Sequence, residues 1–244
     1  MIKHLLIFTG LFLTLTSCKT LSFDQVTQTK TRQQLQLGSI GTDKDFLLQQ
    51  NYNITAIPKY DDPIKLAVNI KPFNKQTHKA FTKAKELQAL GINIVFIDSI
   101  PNKSQYIQLQ IADKVAVIQS LNTKENNDIK SYLSNNRNTN VLTSLSIALN
   151  QKDLERVKSA EAVYLVEEAY KSYALQLFDA NKNKEIISFN QVVVFEYKTS
   201  HCCWQENNKY QLNIVDLVSE FNNCPNKTYR SANRAKKHIN YFKL

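Results

Sequence analysis

The pattern of apolar and polar residues predicts a chain built mainly of β-strands. Short alternating or wholly apolar runs predict strands over residues 64–70, 92–97, 141–149, 163–169, 175–178, 186–189, 192–197 and 210–218. Alternation on both sides of Asp113-Lys114 predicts a β-hairpin over residues 105–121. The connections between most of these runs are short, which favours antiparallel pairing.

Helical spacing appears in fewer places. Residues 75–90 carry apolar side chains at helical intervals, with Asn74 placed to cap the start and Gly91 to end the helix. Strands 64–70 and 92–97 flank this helix and complete a strand-helix-strand unit in the first half. Shorter helices are predicted over residues 124–136, 150–160 and 230–242. The predicted fold class is α+β, a mostly antiparallel sheet with a few covering helices.

The stretch before residue 51 differs from the rest of the chain. It is rich in Gln, Thr and Lys and lacks strong periodicity, which is typical of a solvated linker. The sequence therefore predicts a tether over residues 18–50 and a globular domain over residues 51–244. The polar run Asn135-Asn136-Arg137-Asn138 is where a division into lobes 51–135 and 138–244 would fall.

The first eighteen residues have the composition of an export signal. A basic start at Lys3 precedes an uncharged apolar run over residues 5–15, and the small residues Thr16 and Ser17 lead into Cys18. The apolar run is too short for a comfortable bilayer span. An ordinary signal peptide and an uncleaved anchor are the alternatives to a cleaved, lipid-modified leader.

Leu15-Thr16-Ser17-Cys18 resembles the lipobox of bacterial lipoproteins, and the resemblance covers only residues 1–18. It implies a diacylglyceryl group on the Cys18 thiol and removal of residues 1–17 as a signal peptide. Two or three acyl chains at about 0.8 kcal/mol per buried methylene would hold the protein at a membrane. Lys19, where an aspartate favours inner-membrane retention, implies the outer membrane, and the absence of an acidic run after it implies the face towards the periplasm.

The chain is basic, with 31 Lys and Arg against 21 Asp and Glu. Removal of residues 1–17 removes Lys3 alone, leaving a net charge of +9 from 30 basic and 21 acidic residues. This excess favours an anionic lipid, a glycan or an acidic envelope protein as partner, and export argues against nucleic acid. Candidate contacts lie on two predicted helices: Lys75, Lys79 and Lys83, and Arg230, Arg234 and Lys237. Solvated basic faces without a ligand are the simpler interpretation.

Sequence motifs favour a non-catalytic protein. Beyond residue 17 the glycines are Gly38, Gly41 and Gly91, too few and too scattered for a P-loop or a dinucleotide fingerprint. No zinc or EF-hand motif is present, so no metal or cofactor is expected. The predicted function is a lipid-anchored binding, scaffolding or assembly module. The alternative is a hydrolase of cell-wall or imported polymer whose carboxylates the sequence does not identify.

Cysteines form the one unusual cluster, His201-Cys202-Cys203-Trp204 together with Cys224. A metal site, a Cys–His nucleophile and a disulfide are all chemically open to it. Unbroken strand alternation from Val193 places Cys203 on the inward face and Cys202 on the outward face, which predicts a Cys203–Cys224 disulfide. A bulge near Ser200 would give the role to Cys202, and a vicinal Cys202–Cys203 bond would be strained.

Overall fold

The computed structural model describes residues 34–46, 49–88 and 91–236. Antiparallel strands and a few helices make up this part of the chain, which confirms the predicted α+β class. The strands are β1 (Ile40–Phe46), β2 (Gln49–Ala56), β3 (Ile64–Pro72), β4 (Gln105–Ile111), β5 (Thr139–Ala148), β6 (Ala162–Ala169), β7 (Ser172–Phe178), β8 (Lys184–Ser188), β9 (Val193–Glu206) and β10 (Leu212–Ser219). The helices are α1 (Lys75–Gln88), α2 (Lys114–Leu121), α3 (Asn127–Asn135), α4 (Gln151–Ser159) and α5 (Ala232–Ala235). Within these described residues, no helix has both the length and the apolar character of a membrane span.

The sheet is organised around β5. Its strands follow the order β10-β9-β5-β4-β3-β6-β7-β8, while β1 also pairs with β5 and carries β2 on its far side. One edge of β5 pairs with β9, and the other edge pairs first with β1, at Val141, and then with β4, at Ile147. Every residue of β5 is buried because the strand has neighbours on both edges and packed layers on both faces.

The sheet curves strongly and encloses the main core. The backbone N–H of Tyr173 in β7 donates to the side chain of Gln36 at 3.0 Å. The Tyr173 hydroxyl donates to the carbonyl of Pro58, also at 3.0 Å. Gln36 precedes β1 and Pro58 follows β2, so these two bonds bring β7 against the β1–β2 pair. In the order of the sheet, however, β7 lies four strands away from β5. The main core therefore draws side chains from every one of the strands β1 to β10 and from helices α2, α3, α4 and α5.

Helix α1 covers the other face of the sheet near the start of β9. The side chain of Gln88 accepts from the N–H of Val194 at 3.1 Å and donates to its carbonyl at 2.6 Å. Below the helix lies a second apolar cluster, which consists of Phe73, Phe81, Ile92, Tyr106, Ala148 and Val193. The strand-helix-strand unit consists of β3, α1 and β4, and β4 pairs antiparallel with β3.

Two predicted strands are wrong. Residues 92–97 belong to no sheet, so the strand that follows α1 is β4. Residues 114–121 form helix α2 instead of the second half of a hairpin. The Asp113 side chain caps this helix by accepting from the N–H of Ala116 at 2.9 Å, and Val117 and Leu121 are buried one turn apart.

The domain begins earlier than predicted. Leu37 and Ile40 are fully buried, and the N–H of Gly38 donates to the carbonyl of Leu142 at 2.8 Å. The boundary predicted at residue 51 is therefore wrong, because β1 and the start of β2 lie within the predicted tether. The predicted lobes are joined by one sheet, since β5 from the second pairs with β4 from the first. The signal peptide, Cys18, residues 19–33 and Lys237 lie outside the described residues.

Candidate anion-binding site

A disulfide fixes the loop after β10 to strand β9. It joins Cys203 to Cys224, with 5.6 Å between the Cα atoms, and it is the pair that strand alternation predicted. The alternation is nevertheless interrupted twice, because Val194, Tyr197 and Cys202 all reach the main core. The two interruptions cancel, so Cys203 points away from that core as Val193 does.

Cys202 has the opposite environment from the predicted one. It is buried in the main core, and burial raises the pKa of its thiol to about 12. Burial also lowers the pKa of the neighbouring His201, with a further contribution from Arg230 that Glu220 and Asp43 partly offset. A neutral imidazole beside a protonated thiol lacks the thiolate that a nucleophile or metal ligand requires. Among the described residues, no group of three or more His, Cys, Asp and Glu side chains could hold a metal ion.

Arg230 stabilises the turn that follows β10. Its guanidinium donates to the carbonyl oxygens of Ser219, Glu220 and Asn222, at 3.1, 2.5 and 2.6 Å. These bonds satisfy carbonyls that the end of the strand would otherwise leave to solvent. The predicted contact of Arg230 with an anionic surface thus competes with a structural role.

A polar cavity of about 570 Å³ lies at the far end of β9, beside the disulfide-linked loop. It is bounded by the end of β9, the turn that follows it, the loop after Pro225 and helix α5. Its lining combines three cations, three amide side chains, one carboxylate and one aromatic ring. These residues are Gln205, Glu206, Asn207, Asn208, Lys227, Tyr229, Arg234, Ala235 and Lys236.

Hydrogen bonds hold the walls of the cavity in place. The side chain of Asn207 accepts from the N–H groups of Lys209 and Gln211 at 2.8 and 2.9 Å, which closes the turn after β9. Tyr229 exchanges two backbone hydrogen bonds with Trp204, at 2.7 and 3.0 Å. The loop is therefore linked to β9 by this bridge as well as by the disulfide, so the cavity exists before any ligand binds.

Lys227, Arg234 and Lys236 give the cavity three positive charges against the single negative charge of Glu206. Lys227, Arg234 and Lys236 form no ion pair within the part of the chain that the structure describes. Ammonium and guanidinium groups form strong charge-assisted hydrogen bonds with carboxylates and phosphates. The amide side chains can bond hydroxyl groups in either direction, and the exposed ring of Tyr229 offers an apolar face.

The two predicted basic groups lie apart. Arg234 lines the cavity, whereas Lys75, Lys79 and Lys83 are exposed on α1, which packs at the opposite end of β9. Sequence reasoning missed Lys227, Tyr229 and Lys236. The sequence contained one indication of these residues. Cys224 and Arg234 are close together in the chain, so a disulfide at Cys224 brings the loop between them to the sheet.

A smaller cavity, of about 240 Å³, brings together Asp61, Asp62 and Glu167. Asp61 and Asp62 lie just before β3, and Glu167 lies in β6. All three are exposed; Asp61 pairs with Lys59 at 2.9 Å, and Glu167 accepts from the N–H of Lys171 at 3.0 Å. A catalytic acid is usually a carboxyl held in an apolar pocket, which this cavity does not provide.

Comparison of the chain with protein-family models, with curated proteins and with solved structures finds no match. The function must therefore be inferred from the chemistry of the molecule itself. Of the two cavities, the cationic one has the larger volume, and a disulfide and backbone hydrogen bonds hold its walls in place.

Proposed function

We propose that this protein is a lipid-anchored, non-catalytic binding module of the bacterial envelope, and that its ligand is an anionic glycan. The anchor is the lipid on Cys18 that the lipobox resemblance implies, with the protein held at the outer membrane and facing the periplasm. The observation that carries the proposal is the cavity that Lys227, Arg234 and Lys236 line together with the exposed ring of Tyr229.

The mixture of groups in the cavity suits an acidic sugar better than a simple anion. Three cations provide charge-assisted bonds to carboxylate or phosphate groups on the ligand. Gln205 and Asn208 can bond the hydroxyl groups, while the Tyr229 ring can lie against the apolar face of a sugar. An orientation fixed by a few polar groups around a preformed cavity is the usual design of a small-ligand site.

A hydrolase is the alternative function, and it would have to use Asp61, Asp62 and Glu167 in the smaller cavity. Their exposure and their existing partners favour a structural role for these carboxylates. Release of reducing ends from an acidic oligosaccharide, lost in Asp62→Asn, would support the hydrolase instead.

Isothermal titration calorimetry on the detergent-solubilised full chain tests the binding module. The ligands are a uronic-acid oligosaccharide, a phosphorylated oligosaccharide and a neutral one of equal length. We expect binding to the charged sugars only, weakening with salt and falling roughly tenfold in Lys227→Gln or Arg234→Gln, the loss expected for one charge-assisted bond. Lys83→Gln, which removes a cation from α1, should bind as the wild type does. Equal affinity for neutral and charged sugars would contradict the proposal.

A further inference from the structure

The described chain begins close to the end of helix α1. The side chain of Gln34, the first residue that the structure describes, donates at 3.3 Å to the carbonyl of Val192, just before β9. Two residues further along, Val194 exchanges two hydrogen bonds with the side chain of Gln88, the last residue of α1. The chain that leads from Cys18 therefore reaches the domain at the same end of β9 that α1 covers.

Helix α1 carries a row of cations at this end of the domain. Lys75, Lys79 and Lys83, which we call the lysine row, follow one another at intervals of four residues and so lie along one side of the helix. All three are exposed, and within the described residues none of them forms an ion pair. Leu87, which is 42% exposed, continues the row, and Glu86 is the one acidic residue of the helix. Cations beside an exposed apolar side chain suit the interface of an anionic bilayer.

We propose that the lysine row lies on the anionic headgroups of the membrane that holds the Cys18 anchor, and that this contact turns the anion cavity away from the lipid. Each lysine near an anionic surface strengthens attachment roughly fivefold. The inference rests on the proposed anchor and is independent of the proposed glycan. It adds to that anchor an orientation of the domain.

The length of chain between the anchor and the domain supports the membrane as the partner of the row. Residues 19–33 separate Cys18 from Gln34, and when fully extended they bridge at most about 55 Å. Attachment through the lipid converts the contact of the row into an intramolecular one, so a contact too weak to hold a free domain is sufficient. The chain arrives at the end of the domain that carries the row, which brings these three charges close to the headgroups.

The anion cavity lies at the opposite end of the same strand. β9 has 14 residues, so at about 3.3 Å per residue its two ends are separated by up to roughly 40 Å. Gln205 and Glu206, at the far end, line the cavity. With α1 on the headgroups, the cavity opens towards the aqueous compartment. Its cations are then available to a soluble anion and do not contact lipid phosphates.

Energy transfer to the bilayer tests this orientation. The full lipid-modified chain, purified from cells, is inserted through its anchor into vesicles whose headgroups carry an acceptor dye. The donor dye is attached either to Gln76→Cys, beside the lysine row, or to Lys209→Cys, in the turn after β9. Both positions are exposed, and the native free thiol of Cys202 is buried. Transfer in anionic vesicles should be higher from position 76 than from position 209, and high salt or neutral vesicles should remove the difference.

Two triple variants separate the lysine row from the net charge. Replacement of the whole row by Gln should remove the difference between the two labels in anionic vesicles. The matched variant should retain the difference, although it loses the same charge from three exposed lysines outside α1, which are Lys65, Lys124 and Lys171. Equal transfer from both labels in the wild type, or a difference that survives without the row, would overturn the proposal.

Flotation of the same samples distinguishes this proposal from the proposed anchor. A wild-type chain that floats with neutral vesicles and shows equal transfer from both labels in anionic ones would refute the orientation alone. A chain that floats with neither kind of vesicle would show that the lipid is absent, and the orientation would then fail together with the proposed location.

Discussion

The ring of Tyr60 occupies the space that a side chain on Gly38 would need. The Tyr60 hydroxyl donates to the Gly38 carbonyl at 2.7 Å, and a Cβ atom on Gly38 would lie 2.7 Å from the ring carbon Cε2. Gly38 also has a φ of +76°, which L-amino acids rarely adopt. Gly38→Ala should therefore lower the free energy of unfolding by about 2–4 kcal/mol, measured by chemical denaturation.

Gly91→Ala is the matched control for that substitution. Within the described residues, no atom beyond its chain neighbours lies within 4 Å of a Cβ built on Gly91, and its φ is outside the range from +20° to +160°. We expect a change of less than about 1 kcal/mol. Equal effects of the two substitutions would show that the contact with Tyr60 does not constrain the chain.

Removal of the disulfide should affect stability and ligand binding together. Cys224→Ala frees a loop of 21 residues and should cost roughly 3 kcal/mol in denaturant unfolding. Affinity for the acidic oligosaccharide should fall as well, because Lys227 and Tyr229 lie on the released loop. Non-reducing peptide mapping of the wild type checks the linkage, and free Cys224 in that map would refute the pairing.

Burial of Cys202 predicts a loss of stability in alkali. The pKa of its thiol rises from about 9 to about 12 on folding, so between these values the unfolded chain releases a proton that the folded chain retains. The free energy of unfolding should then fall with rising pH, by up to about 1.4 kcal/mol per pH unit. Cys202→Ala should show a shallower decrease between pH 9 and 11, although Tyr173, whose pKa burial also raises to about 12, contributes in the same direction. An unchanged slope would argue against the buried thiol.

The lipid anchor can be tested by labelling in cells. Wild-type protein should incorporate a radiolabelled or clickable fatty acid and fractionate with the outer membrane, because Cys18 follows Leu15-Thr16-Ser17. Cys18→Ala should abolish the label and leave either uncleaved precursor or soluble protein. Absence of label in the wild type would remove the basis for the proposed location.

The lysines of α1 predict a second, weaker electrostatic contact. Lys75, Lys79 and Lys83 are exposed along one side of the helix, opposite the buried Phe81. The delipidated domain should bind anionic vesicles at low salt, and replacement of all three lysines by Gln should remove most of that binding. Sedimentation with neutral vesicles is the control, and equal binding to both kinds would show that charge is not responsible.

The sequence predicted helices and strands correctly where capping, apolar spacing or alternation indicated one structure clearly. Helix α1 has both a capping Asn74, whose side chain accepts from the N–H of Thr77 at 2.8 Å, and a regular apolar stripe. Helix α4 has the same combination, with Asn150 accepting from the N–H of Asp153 at 2.9 Å. Strands with clear alternation and short connections likewise form the antiparallel sheet that was expected.

The patterns failed where two structures share one periodicity. Val117 and Leu121 are four residues apart, a spacing that puts both side chains on one face of a strand or of a helix, and the cap at Asp113 decides between the two. The stretch before β2 was predicted as linker because its residues are mostly polar. Its burial depends on Leu37 and Ile40 packing in the main core, together with strand pairing to β5 that no local pattern records.

The place where the chain enters the sheet determines how the domain would carry force. β1 and β9 both run antiparallel to β5 and therefore run in the same direction on either side of it. A pull from the chain before Gln34 and a pull from a ligand at the end of β9 would thus act in opposite directions along the strands. The hydrogen bonds of β5 would be loaded in shear, all together. The hydroxyl of Tyr52, which lies 3.1 and 2.9 Å from the carbonyl oxygens of Ser39 and Asn140, links β2 to both sides of the boundary between β1 and β5. With the proposed anchor and ligand, tension would therefore pass through the β1–β5 and β5–β9 pairings in shear.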